Sequence, residues 1–332
     1  MSFFCLFFFN FDNLNLDFSL LTERYDENST ESEQAEVAKL MHACGVAVSM
    51  DYGHKDNQSG AHDTDIPYAL INYFGYNKNA VYKCRNYYTN EDWEQMIMQQ
   101  LESDNPILYS GQGTGGHQFL LDGSDDNGLY HFNFGWSGNC DGYYSLDAIK
   151  PVYSILGYEI PTGSDYSLNQ GMICNINPQS QGVHEDVFYT SNFSITTQKS
   201  KIGNTVYAYC YPECFASCAT SVFGPKEAMF SGTIGYALFD KDFNLVDKLY
   251  EVEKKMRIYN VAVLSKYIEL DASKFVEGKQ YYLAPFAQAS ESDKPTRLRS
   301  KNGSADYYLV TVKNGEVSFV LKGVASDDVE QP

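Results

Sequence analysis

Two apolar runs joined by an acidic turn constrain this chain more than any other feature. Gly115-Gly116-His117-Gln118-Phe119-Leu120-Leu121-Asp122-Gly123 leads into Asp125-Asp126-Asn127-Gly128, and then into Tyr130-His131-Phe132-Asn133-Phe134-Gly135-Trp136. Strand-type runs with so short an Asn-Gly turn between them fold back as antiparallel neighbours. Ile107-Leu108-Tyr109-Ser110 before them and Gly142-Tyr143-Tyr144-Ser145-Leu146 after them share this character. Residues 107–146 therefore predict an antiparallel meander.

Upstream the period is helical. Residues 35–43 place Val37, Leu40, Met41 and Cys44 on one face, with a start near Ser32 and a stop at Gly45. A second helix is expected over 66–74. A third, over 90–102, has a cap at Thr89 or Asn90, acids in its first turn and an apolar stripe of Trp93, Met96, Ile97 and Leu101. Helices followed by strands make an α+β pattern. Residues 161–182 are rich in Gly, Ser, Asn and Pro and hold one more strand, at 171–176. Beyond Val183, seven or eight short strands with regular turns predict an all-β sandwich of immunoglobulin-like size. The 332 residues suit two such domains. The expected division is an atypical N-terminal segment at 1–34, an α+β domain at 35–180 and a sandwich at 183–332.

Charge narrows the partners. With 24 basic against 43 acidic residues the net charge is −19, and no basic stripe is visible, which excludes nucleic acid as a partner. The apolar start, Met1-Ser2-Phe3-Phe4-Cys5-Leu6-Phe7-Phe8-Phe9-Asn10, lacks a preceding Lys or Arg and a following small-residue cleavage site, so it does not read as an export signal. No run approaches the ~20 apolar residues of a membrane-spanning helix. The eight cysteines are too scattered for a disulfide framework. Cys210, Cys214 and Cys218 lack Cys-x₂-Cys spacing and an adjacent histidine. The oxygen-rich loop 51–65 lacks EF-hand spacing. No metal and no cofactor are expected.

The chemistry lies in the meander. His117 follows two glycines, where the backbone leaves room for a substrate, and an imidazole there suits a general base. Asn133 stands in the neighbouring strand, and an amide can fix an imidazole tautomer without adding charge. Trp136 follows closely and can wall that pair from water. Gly115, Gly116 and Phe134 complete the expected wall of the site.

These blocks resemble the streptopain-like (C10) cysteine peptidases. Asn72-Tyr73-Phe74-Gly75-Tyr76, Trp93-Glu94, the 115–123 block, His131-Phe132-Asn133-Phe134-Gly135-Trp136-Ser137-Gly138 and Asp141-Gly142-Tyr143-Tyr144 stand in that family's order, over about 35–177. The resemblance implies a papain-like fold, a secreted or surface cysteine endopeptidase acting on proteins or peptides, His117 as base and Asn133 as its orienter. It implies that 35–180 is the C-terminal part of such a domain, that the loop 51–65 lies beside the substrate cleft as a mobile wall, a solvated loop being the equal alternative, and that the β-rich half is an accessory module of unknown ligand. Phe134 stands where the family often carries tryptophan.

The resemblance places the nucleophilic cysteine upstream, in a Gly-Cys-Val-Ala-Thr-Ala-like segment opening a helix, and the chain has none. Cys44, at a helix C-terminus where the dipole disfavours a thiolate, is expected to pack in the core. Cys5 lies among phenylalanines and Cys84 in a Tyr-rich strand-like segment. The expectation is thus an N-terminally truncated peptidase domain whose nucleophile lies upstream. The alternative is a non-catalytic secreted or surface binding protein built on a disabled peptidase fold.

Overall fold

Thr30 caps the first helix, α1 (Glu31–Ala47). Its hydroxyl accepts from the Glu33 amide, while the Glu33 carboxylate accepts from the Thr30 amide, the reciprocal capping box that a Thr-x-x-Glu sequence allows. The start is therefore Thr30 rather than Ser32. This computed structural model describes residues 10–53, 59–155, 158–178, 187–197, 204–216, 229–257, 260–290, 292–300, 305–314 and 316–324. Cys5, the Val183 boundary and Cys218 lie outside the described residues.

Two expectations for α1 are corrected. The helix runs through Gly45 to Ala47, and its buried positions are Ala43, Gly45 and Ala47. Met41 is 68% exposed and Cys44 is exposed rather than in the core. The Tyr52 side chain lies across the helix here: a Cβ on Gly45 would lie 1.8 Å from its hydroxyl. Gly45 serves that approach and does not stop the helix.

Helix α2 (Asp65–Tyr73) and helix α3 (Asn90–Glu102) follow, the latter capped by Thr89, whose hydroxyl accepts from the Asp92 amide. The first sheet is built from β1 (Val81–Cys84), β2 (Ile107–Gln112), β3 (Gly116–Ser124), β4 (Tyr130–Asn133) and β5 (Gly142–Tyr144). A short ribbon, β6 (Val152–Ile155) and β7 (Tyr158–Pro161), precedes β8 (Leu168–Cys174). The sheet order is β1-β8-β2-β3-β4-β5, so the last strand made is inserted between the first two, and every pairing is antiparallel. Trp93 and Ile97 of α3 are fully buried against this sheet with Ile107, Tyr109, Leu121 and Phe132.

One buried amide ties these parts together. Gln170 accepts at Oε1 from the Tyr109 hydroxyl and from Arg85 Nη1 (3.0 Å), and donates from Nε2 to the carbonyls of Leu146 (2.6 Å) and Ser167 (2.7 Å). Trp93 Nε1 donates to the Tyr109 hydroxyl at 2.9 Å.

Among the described residues, the second half is strand and turn, with one short 3₁₀ turn at Ala272–Lys274. β9 (Val187–Thr197), β10 (Asn204–Ala216), β13 (Leu264–Leu270) and β16 (Arg299–Ser300) form a four-stranded sheet in the order β13-β10-β9-β16. β11 (Met229–Phe239), β12 (Leu245–Arg257), β14 (Gln280–Ala289), β17 (Ala305–Lys313) and β18 (Glu316–Val324) pair in the order β12-β11-β14-β17-β18, with β15 (Thr296–Arg297) beside β14. Phe193, Val206 and Ile268 of one sheet share a buried cluster with Phe230, Ile234 and Leu283 of the other. The chain thus has the mixed α+β character, with mostly antiparallel sheet, that its periodicities imply. No helix among the described residues is long and apolar enough to cross a membrane.

Tyr189 of β9 joins the halves. Its ring stacks on Tyr87 at 3.8 Å, and its hydroxyl accepts from the Cys84 amide (3.2 Å) and donates to the Tyr88 hydroxyl (3.3 Å). Arg299 adds an ion pair to Asp92 at 3.1 Å and lies 4.4 Å from the Tyr88 ring centroid. Tyr189→Phe removes a buried acceptor from the Cys84 amide and is expected to lower stability by about 1–3 kcal/mol in denaturant unfolding; an unchanged midpoint would refute this role.

Candidate functional site

Strand pleating decides which side chains meet His117. Along β3, His117, Phe119 and Leu121 share one face, and Leu121 lies directly opposite Phe132 of β4. Asn133 pairs with Leu120, on the other face, and is exposed. The structure therefore does not bring Asn133 to His117. The Asn133 side chain instead accepts from the Gly135 amide at 2.9 Å, closing the turn that follows β4.

That turn returns the chain to the histidine. Gly135 adopts φ +74°, a conformation open to glycine without strain. Asp141 holds the Phe134 amide at 2.9 Å, and the Phe134 carbonyl lies 2.9 Å from His117 Nε2. A carbonyl only accepts, so Nε2 carries the proton it donates and Nδ1 is left with the ring's lone pair. Trp136 stacks on the imidazole at 5.0 Å and an interplanar angle of 18°. Phe119 and Tyr166 stand 5.8 Å and 5.6 Å from it. Phe134 is buried and its ring runs parallel to the imidazole, 6.5 Å away.

Tyr166 reaches the histidine because glycines flank the last residue of β2, Gln112. A Cβ at Gly111 would lie 1.9 Å from the Tyr166 carbonyl oxygen, and one at Gly113 would lie 2.1 Å from that of Asp165. Gly115 and Gly116 meet no such obstacle: a Cβ at Gly115 would find nothing within 4 Å, and at Gly116 only the Gln112 side chain at 3.9 Å. Both are exposed beside the histidine.

A cleft of about 540 Å³ opens beside His117 and Gly116. Residues 59–63, from the loop expected at the cleft edge, line it together with Val48, Met50, Ile66 and Tyr82; residues 54–58 of that loop lie outside the described residues. No cysteine lines the cleft among the described residues, and Cys84, Cys140, Cys174, Cys210 and Cys214 are buried. No group of three or more His, Cys, Asp or Glu side chains able to hold a metal occurs among the described residues.

Sequence reasoning missed Tyr166, Asp141 and Asp63. The first two come from segments whose approach is set by turns, which hydrophobic periodicity does not report. Asp63 stood in the loop 51–65, but nothing there separates a cleft-facing acid from a solvated one. Its carboxylate accepts from the buried Ser110 hydroxyl at 2.5 Å, and burial pushes its pKa above the ordinary carboxylate range, against the opposing pull of Ser110 and His62.

A pH dependence follows. Unfolded, this carboxyl titrates at its usual value; folded, it keeps its proton to higher pH. Its contribution to stability is thus complete at low pH and is lost as pH rises from the usual value through the raised folded one. Asp63→Asn is expected to melt above the wild type at pH 7, with the gain vanishing at acidic pH below the carboxylate range. A gain independent of pH would show that ionisation of Asp63 is not its source.

Comparison with known proteins now bears on this geometry. The model of the peptidase C10 family matches residues 7–144. Streptopain of Streptococcus pyogenes is 35% identical over 128 residues, which are 38% of this chain and 32% of that protein. The thiol protease/hemagglutinin PrtT of Porphyromonas gingivalis is 32% identical over 136 residues, 41% of this chain and 15% of that protein. The structure of interpain A, a cysteine protease of Prevotella intermedia, superposes with a TM-score of 0.44 at 34% identity, covering 50% of this chain and 65% of that one. The chain spans about a third of the length of streptopain.

Proposed function

Since residues 7–144 belong to the peptidase C10 family, we propose that the cleft beside His117 is the substrate-facing half of a cysteine-endopeptidase site with a papain-like arrangement. Protein or peptide is then the substrate, His117 the general base, and the setting secreted or cell-surface. The observation that carries this reading is the bond from His117 Nε2 to the Phe134 carbonyl, in a ring stacked by Trp136 at the cleft edge.

The chemistry runs through the other nitrogen. With Nε2–H donated to a carbonyl, Nδ1 is free to take the proton of a thiol set against the cleft, and the thiolate so formed attacks a peptide carbonyl. The imidazolium then returns the proton to the leaving amine. A main-chain carbonyl orients the ring without adding a charge, the part an asparagine plays in the Cys-His-Asn arrangement. In this reading Asn133 contributes indirectly, by closing the turn that aims Phe134. The thiol comes from outside the described residues. The second half is an accessory module, read as a β-sandwich.

A second reading, a non-catalytic secreted or surface binding protein on a disabled peptidase fold, is favoured by one observation: none of the described cysteines lines the cleft. Supplying the thiol separates the two. Joined downstream of the thiol-bearing segment of streptopain, the full chain is expected to cleave casein, and His117→Ala to slow it by about 10²–10⁴-fold. Asn133→Ala is expected to slow it far less than His117→Ala does. Cleavage unaffected by His117→Ala would end the first reading. Stoichiometric labelling of the unjoined chain by an epoxide thiol reagent, with loss of proteolysis, would end the second.

A further inference from the structure

The cleft sets an apolar patch among polar side chains and a carboxylate. Val48, Met50, Ile66 and Tyr82 give it apolar sides. Among the described lining residues Asp63 is the one carboxylate, none is Lys or Arg, and His62 and His117 are the imidazoles, His62 close enough to pull on the Asp63 carboxyl. Ser110, itself buried, anchors the Asp63 carboxylate from the strand that pairs with His117's own.

We propose that Asp63 is a specificity-determining residue of this cleft, receiving the basic side chain of an arginine- or lysine-bearing peptide segment. The inference rests on the reading of the cleft as a peptide site. Long basic side chains lay their methylenes along apolar surface and carry the charge at the tip, which matches the patch of Val48, Met50, Ile66 and Tyr82 beside a carboxylate anchored by Ser110. A desolvated carboxylate raises the cost of its own charge, and a cation brought against it offsets that cost with a charge-assisted hydrogen bond. Gln118 supplies a second, separate feature. Its Nε2 is buried with no hydrogen-bond partner among the described residues, and the residue lines the same cleft. An amide donor so placed suits a main-chain carbonyl of the bound segment. An acidic side chain would oppose Asp63, and an apolar one would add no charge partner beyond the imidazole of His62.

The test is a binding series on the full chain in about 0.15 M salt, where general attraction to an acidic protein is screened. Blocked alanine hexapeptides carry one arginine, citrulline or norleucine at each position in turn, and binding is read by calorimetry and by the fluorescence of the two tryptophans, of which Trp136 stands at the cleft edge. At one position arginine is expected to bind about tenfold or more tightly than citrulline, and Asp63→Asn to reduce that ratio to about twofold or less. The wild-type comparison needs no mutant, and near-ultraviolet dichroism checks the variant's packing. Equal binding of arginine and citrulline peptides overturns this inference while the peptide cleft stands, and so does a preference that survives Asp63→Asn. No binding by any peptide overturns the inference and the peptide reading of the cleft together.

Discussion

The first half of this chain depends on a buried amide. Gln170 takes hydrogen bonds from Tyr109 and Arg85 and gives them to the carbonyls of Leu146 and Ser167. Two strands, the turn after β1 and the loop after β5 thereby meet at one side chain that is 2% exposed. Buried polar groups are costly unless paired, and here the pairing fixes where each segment crosses the others. Its reach extends to the histidine. Ser167, whose carbonyl Gln170 holds, follows Tyr166, and the Tyr166 ring stands against His117.

Around the histidine, geometry divides the labour between main chain and side chain. The pleat puts Asn133 on the face away from His117, so the ring is oriented by a carbonyl one residue later. That carbonyl is aimed by three modest devices: an Asn133 bond to the Gly135 amide, an Asp141 bond to the Phe134 amide, and a positive φ at Gly135. None is strong alone. Together they set a tautomer, which decides which nitrogen can act as a base. Phe134 is buried against Phe119 and Tyr144, so an apolar ring fits at the position where the resemblance points to tryptophan.

Much of this was legible in the sequence, and the failures share a cause. Helix α3 announces itself through Thr89, its acidic first turn and its Trp93–Ile97 stripe, because caps and periodicity are local. The β3–β4 pairing follows from the Asn127-Gly128 turn for the same reason. On α1 hydrophobicity ranks Met41 and Cys44 above Ala43 and Gly45, yet the helix buries the small residues, a choice of face that tertiary packing makes. Asn133 was placed beside His117 because adjacency in a hairpin was visible and pleat parity was not, the register depending on an irregularity between Leu121 and Gly123. Asp141, Tyr166 and Asp63 converge only through the tertiary path of the chain.

The insertion of β8 between β1 and β2 sets an order of events for synthesis. β1 and β2 are complete by Gln112, and β2 can pair with β3 at once, yet the edges of β1 and β2 that face β8 have no partner until Leu168–Cys174 has emerged. Throughout that interval two facing strand edges stay unpaired, the condition that invites wrong pairing between nascent chains. Contacts so distant in sequence close slowly, and Tyr189 delays the last of the core further, since it packs on Tyr87 only after β9 begins. A chain cut at residue 144 would therefore lack the strand that joins β1 to the rest of its sheet.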